Sequence, residues 1–254
     1  MKIVKFQKIG KSKYKLYLEN NDILILYEEV IVNNNLILKK EINDSKINYL
    51  VEENNKYYAY ELALKYISVR LRSEKEVDIY LSKKGILKDD INFALERLEK
   101  EGYLNDYKFA KSYFNDNISL TTKGPNKIKN ELIKNGISND IINEVFEDID
   151  YYFIENKLYN LIDKKIRIKK GSTYEVKVKL LNYFLNLGYD KDMILKVINL
   201  FDIKTDFGYL KKEYDKLYNK YKNKYDEDKL DKYIESKLYS KGYKLSDILN
   251  VKSL

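Results

Sequence analysis

The chain has 254 residues, of which 48 are Lys or Arg and 40 are Asp or Glu, giving a net charge of +8, and 44% are hydrophobic. That balance supplies a core, and a single proline excludes collagen-like and proline-rich architectures. Histidine, cysteine and tryptophan are absent, which excludes disulfides, thiolate or imidazole metal sites, cysteine nucleophiles and histidine acid-base chemistry.

The first eight residues place lysines at Lys2, Lys5 and Lys8, where a signal peptide needs apolar residues. No apolar run approaches the roughly 20 residues that cross a bilayer. The expected compartment is the cytoplasm, with no membrane partner. Tyr14, Leu16 and Leu18 alternate with Lys15, Tyr17 and Glu19 at the two-residue period of a half-buried strand. Asn20-Asn21-Asp22 supplies turn chemistry before the apolar run Ile23 to Tyr27, so the spacing predicts a hairpin. A short helix is expected over Asp44 to Glu53, with Asp44 as N-cap. Residues 1–56 therefore read as a small mixed α/β domain. Gly10-Lys11-Ser12 looks like the tail of a phosphate-binding loop, but Lys5 stands where that loop needs its first glycine.

From about Tyr57 the period changes to 3.6, and an internal repeat emerges on Gly85, Gly136, Gly188 and Gly242, spaced 51, 52 and 54 residues apart. Val77, Ile128, Leu180 and Ile234 stand eight positions before these glycines, and Leu81, Leu132, Phe184 and Leu238 four before. After them come Ile86, Ile137, Tyr189 and Tyr243, then Ile91, Ile142, Ile194 and Ile248. Further on are Ala94, Val145, Val197 and Val251, and last Leu98, Ile149 and Phe201, where the fourth copy has run out of chain. Each copy reads as helix, glycine stop, helix, because glycine enters the left-handed conformation that ends a helix cheaply. Ser73 and Glu76 fit a capping box at the start of the first such helix, and Pro125 fits the first turn of the second. A further apolar-periodic segment precedes each pair, so the unit is three helices, used over residues 57–106, 107–152, 153–205 and 206–254. The expected fold is mainly α, with tandem three-helix repeats forming an elongated curved solenoid behind the small N-terminal segment; a compact bundle is the alternative.

The charge is unevenly distributed. Residues 1–60 carry +2, 61–108 zero, 109–155 −3, 156–208 +5 and 209–254 +4. The densest cluster is Lys164, Lys165, Arg167, Lys169 and Lys170, followed by a lysine-tyrosine stretch from Lys211 to Lys224. Such a surface suits a polyanion, either nucleic-acid phosphate or an acidic protein groove. Tyr209, Tyr214, Tyr218, Tyr221 and Tyr225 either stack on bases or line a core. The spacing of Tyr214, Leu217, Tyr218 and Tyr221 favours the core. Asp89-Asp90 and Glu227-Asp228 are acidic pairs, and the first opens a helix, where carboxylates favour the dipole. No dinucleotide fingerprint, nucleophile turn, metal set or cofactor site assembles, so a non-enzymatic protein is expected.

The run Arg70-Leu71-Arg72-Ser73-Glu74-Lys75-Glu76-Val77, with Tyr80-Leu81 and Lys84-Gly85, resembles the signature of the RecX regulatory proteins. Leu98-Glu99-Lys100-Glu101-Gly102-Tyr103-Leu104-Asn105-Asp106, with Phe109-Ala110 and Tyr113, is similar to the family's next segment, as are Gly124-Pro125 and Gly136-Ile137. The N-terminal segment is similar to the extension of longer members from Gram-positive bacteria. Asn105 departs from the acidic or small residue frequent there, and the third and fourth repeats match by spacing and apolar pattern. The resemblance implies a modulator that binds the groove of the RecA filament on single-stranded DNA. It implies restraint of ATP hydrolysis, strand exchange and filament persistence in DNA repair. Arg70 and Arg72 are the signature's candidate partner contacts. The alternative is a helical-repeat protein that binds DNA or RNA directly through its basic C-terminal half.

Overall fold

The computed structural model describes residues 1–252 and divides into two compact units, residues 1–111 with 133–142 and residues 112–132 with 143–254. The first unit begins with strands β1 (Ile3–Lys8), β2 (Lys13–Leu18) and β3 (Ile23–Tyr27) in an antiparallel sheet of order β1-β2-β3. The expected hairpin is β2-β3, with Tyr14 opposite Leu26 and Leu16 opposite Leu24. Its turn works because Asn21 takes a φ of 67°, and the Asn20 side chain bonds Asp22. Gly10, Lys11 and Ser12 form the β1-β2 turn rather than opening a helix, so the rejected phosphate loop has no structural support. Leu16, Leu18 and Leu26 bury one face of the sheet with Val30, Leu36 and Leu50.

Two short helices follow that periodicity did not predict, α1 (Glu28–Asn33) and α2 (Leu36–Lys39). Helix α3 (Asp44–Ile67) corrects a second expectation, because it runs unbroken for 24 residues instead of ending near Glu53. Its N-cap is Asn43, which makes no side-chain capping bond, and Asp44 is the first helical residue. The helix persists because both halves are anchored. Leu50 and Tyr57 belong to the core under the sheet, and Ala59 and Ala63 to the core of the first repeat. Asn54 Oδ1 accepts the Tyr27 N–H at 2.8 Å, and the Tyr27 hydroxyl donates to Glu61, which ties the middle of α3 to the end of β3.

The first repeat combines the end of α3 with α4 (Glu74–Lys83) and α5 (Lys88–Lys100). The second has α6 (Asp106–Leu120), α7 (Pro125–Lys134) and α8 (Asn139–Glu147), and its residues are divided between the two units. The third has α9 (Tyr151–Ile166), α10 (Thr173–Asn186) and α11 (Lys191–Ile198). The fourth has α12 (Phe207–Tyr221), α13 (Glu227–Tyr239) and α14 (Leu245–Lys252). The fold is thus mainly α, built of tandem three-helix repeats behind a small sheet. The residues eight and four positions before each glycine are buried in all four copies. Ile149 and Phe201 lie just beyond α8 and α11 and are half-buried; Phe201 stacks on Tyr159 with ring centroids 4.7 Å apart.

All four repeat glycines have positive φ, from 77° at Gly85 to 89° at Gly188. At Gly85 the next residue's N–H, from Ile86, returns to Leu81 O, and the Gly85 N–H to Ser82 O. Gly188 and Gly242 repeat the same pair of bonds, the helix-ending arrangement that places a left-handed residue after the last turn.

Candidate partner-binding surfaces

The signature folds as one hydrogen-bonded unit at the start of α4. Ser73 is its N-cap and forms the capping box with Glu76: the Glu76 N–H donates to Ser73 Oγ at 3.2 Å, and the Ser73 N–H to Glu76 Oε2 at 3.3 Å. The Arg70 guanidinium grips the same carboxylate from the linker, with Nη2 2.6 Å from Oε1 and Nη1 3.2 Å from Oε2. Burial pushes the Glu76 carboxyl up, but the hydrogen bonds from Arg70 and the Ser73 backbone, with the charges of both arginines, hold it below the ordinary carboxylate range. Arg72 lies 3.5 Å from Glu76 and packs its guanidinium over the Tyr66 ring at 4.1 Å. Tyr66 stacks on Tyr80 at 4.0 Å, so Arg72 completes a stack that fastens the linker to two helices. Arg72 Nε is buried and makes no hydrogen bond among the described residues. Arg70 is half-exposed and Arg72 mostly covered.

Ser73 also reaches the next repeat. Its Oγ donates to Asn135 O at 2.8 Å, Lys75 Nζ donates to Lys134 O at 3.0 Å, and a Cβ on Gly136 would fall 2.7 Å from the Lys75 Cβ. The glycine turn of the second repeat therefore nests on the start of α4. The device recurs twice in the second unit. Gly124 takes the serine's place before α7, its N–H donates to Leu187 O at 2.7 Å, and the Asn126 N–H donates to Gly188 O at 2.9 Å. Before α10, Ser172 Oγ accepts the Glu175 N–H at 3.0 Å and donates to Lys241 O at 2.6 Å, with Gly242 against Tyr174. Ser73 and Ser172 are both fully buried. Gly136, Gly188 and Gly242 thus serve two ends, stopping a helix and admitting the preceding repeat.

The basic cluster occupies the equivalent linker of the third repeat. Lys164 and Lys165 lie in the last turn of α9, where cations favour the helix dipole, and Arg167 is its C-cap. Arg167 pairs with Asp163 at 2.5 Å. Lys164, Lys165, Lys169 and Lys170 enter no ion pair among the described residues, and Lys165 Nζ sits 4.1 Å from the centre of the Tyr183 ring. The structure thus brings Lys164, Lys165, Arg167, Lys169 and Lys170 together at the end of α9 and on the linker after it, within the second unit. Arg70 and Arg72 stand apart from them in chain position, in the first unit.

Sequence reasoning missed Lys157. Its ammonium donates to Ile118 O, in the last turn of α6, and to Lys123 O at 3.1 Å, with no carboxylate within reach among the described residues. Burial pushes it down to about 8. No residue pattern announces a lysine whose partners are backbone carbonyls. The tyrosine stretch divides more finely than expected. Tyr214 is buried and Leu217 and Tyr221 pack on the fourth repeat's core, whereas Tyr218 and Tyr225 are exposed. Tyr221, Tyr225 and Tyr233 form a ring cluster with centroids 4.8 to 6.2 Å apart, flanked by Lys220, Lys224 and Lys237. Among the described residues no three carboxylates cluster as a metal site would need, and no helix is long and apolar enough to cross a membrane.

Residues 59–98 match the model of the first RecX three-helix domain, and residues 105–145 that of the second. The regulatory protein RecX of Streptococcus uberis is 32% identical over 98% of this chain and 99% of its own length. Its counterpart in Streptococcus gordonii is 32% identical over 99% and 98%, and that of Oceanobacillus iheyensis 28% over 96% and 93%. A crystal structure of regulatory protein RecX covers 78% of this chain with a TM-score of 0.72 at 20% identity, which reflects the shared fold. The RecX structure from Lactobacillus salivarius covers 59% with a TM-score of 0.56 at 28% identity, and each crystal chain is covered over 98% of its length. With the signature, the repeats and full-length similarity in agreement, the chain belongs to the RecX family of regulatory proteins.

Proposed function

We propose that this protein modulates the RecA recombinase in the cytoplasm without catalysing a reaction: it binds the groove of the RecA filament on single-stranded DNA and restrains ATP hydrolysis, strand exchange and filament persistence. The observation that carries the reading is the Arg70–Ser73–Glu76 unit, which joins two repeats in a chain related to RecX proteins along its whole length. The proposed contacts are Arg70, Arg72, Lys164, Lys165, Arg167, Lys169 and Lys170. The carboxylates and phosphates of a protein–DNA filament complement them. The test is a titration of the DNA-dependent ATPase of the cognate RecA on single-stranded DNA. Substoichiometric protein lowers the rate if the reading holds, and an unchanged rate and unchanged strand exchange remove it.

A second reading, direct binding of DNA or RNA, draws on the half-buried ring cluster of Tyr221, Tyr225 and Tyr233, of which Tyr225 is exposed, with its flanking lysines. It predicts salt-sensitive binding of an oligonucleotide without RecA, lost on reversing the five cations between Lys164 and Lys170. No shift at low salt removes it.

A further inference from the structure

A groove of about 260 Å³ opens in the second unit between the end of α9, the linker after it, the end of α10 and the α6-α7 linker. Its character is mixed in a specific way. Leu161, Ile168 and Leu187 supply an aliphatic lining, and Lys164 and Lys165 are the charged groups along it; among the described residues no carboxylate lines it. Ile168 is 69% exposed, an aliphatic side chain in a lysine-rich linker that the protein's own core leaves uncovered. The Lys165 ammonium lies over the Tyr183 ring, which holds its charge beside the groove.

We propose that this groove docks a peptide segment of a partner protein that presents one large apolar side chain flanked by aspartate or glutamate. The volume accommodates a leucine or phenylalanine side chain against the aliphatic lining, and carboxylates on either side meet two ammonium groups that form no ion pair among the described residues. Charge complementarity selects the flanks and burial selects the anchor. A nucleic-acid strand matches less well. The Tyr183 face that a base would stack on is already covered by Lys165, and aliphatic side chains offer a base no hydrogen bond. The inference rests on the proposed function only in treating Lys164 and Lys165 as partner contacts.

The test is fluorescence anisotropy with the full-length protein and no RecA present. The probe is a short labelled peptide with a central Leu-Phe pair between aspartates. Two comparison probes have that pair replaced by Ser-Ser or the aspartates replaced by lysine, and an oligothymidylate is the fourth. The Leu-Phe aspartate peptide binds, and each comparison peptide binds at least about tenfold more weakly. Ile168→Asp, on an exposed side chain, and Lys164→Glu with Lys165→Glu each lower the affinity by a similar factor, roughly tenfold, with helical circular dichroism unchanged. Equal binding of the Ser-Ser peptide, no binding of the Leu-Phe peptide, or displacement of the peptide by oligothymidylate alone overturns the proposal. Peptide binding that fails while the ATPase restraint persists removes the groove and leaves the regulatory function. An unchanged ATPase with intact peptide binding removes the function and leaves the groove.

Discussion

The first and third repeats carry basic residues at the same place, the linker before the middle helix, and use them differently. In the first, Arg70 and Arg72 converge on Glu76, and Arg72 is stacked on Tyr66, so both charges are engaged inside the repeat. In the third, Arg167 alone is paired, and four lysines around it have no carboxylate partner among the described residues. Planar guanidinium groups suit the gripped, stacked position, and hydrated ammonium groups suit the open one. Clustered charge in a sequence is therefore not equivalent to unpaired charge; the carboxylate that neutralises it decides. The glycine turns differ in the opposite sense. A Cβ at Gly85 meets open space, whereas one at Gly188 would fall 2.4 Å from the Lys127 backbone nitrogen.

The largest effect is expected at these turns. Gly188→Ala combines left-handed strain with a backbone clash and should destabilise by about 3–4 kcal/mol, against about 1–2 kcal/mol for Gly85→Ala, which bears the strain alone. Denaturant unfolding measures both, and equal losses break the comparison. Next come the two serine caps. Ser73→Ala and Ser172→Ala each remove a cap and a bond to the following repeat, and each should lose about 1–2 kcal/mol in the same assay. A clear inequality shows that the joints are not equivalent. A smaller effect is pH-dependent. Glu76 is held below its ordinary 4.5, so its ionised form contributes stability that is fully present above that pH and lost as pH falls through the lower folded value. The stability difference between the protein and Glu76→Gln should accordingly shrink on acidification; a difference constant from neutral pH to pH 3 contradicts the pairing. The smallest effect is on the open linker. Reversing Lys169 and Lys170 to glutamate should move stability by no more than about 0.5 kcal/mol, because both lie beyond the end of α9 and neither forms an ion pair among the described residues.

The repeat was legible because its punctuation is conformational. A helix stop with positive φ favours glycine, and the apolar positions around it share one face whatever the tertiary packing. The capping box was legible for the same reason, since both partners are side chains three residues apart. The joints were not. Ser73 and Ser172 bond carbonyls 62 and 69 residues away, and a carbonyl carries no residue identity that a sequence displays. Lys157 escaped notice on the same ground. The length of α3 was not legible, because Asn54 and Asn55, both weak helix formers, fall in its middle. Tertiary anchoring of Asn54 to Tyr27 overrides that preference. Of the candidate contacts, the clustering of the five third-repeat cations could be read from adjacency, whereas their pairing required the structure.

The most direct test of the account is the RecA ATPase on single-stranded DNA, titrated with the wild-type protein and with the variant reversed at Lys164, Lys165, Lys169 and Lys170. The account predicts that wild-type protein restrains hydrolysis at substoichiometric amounts and that the variant, with its helical circular dichroism retained, requires at least about tenfold more protein for the same restraint. Hydrolysis unaffected by the wild-type protein, or restrained equally by both, would contradict it.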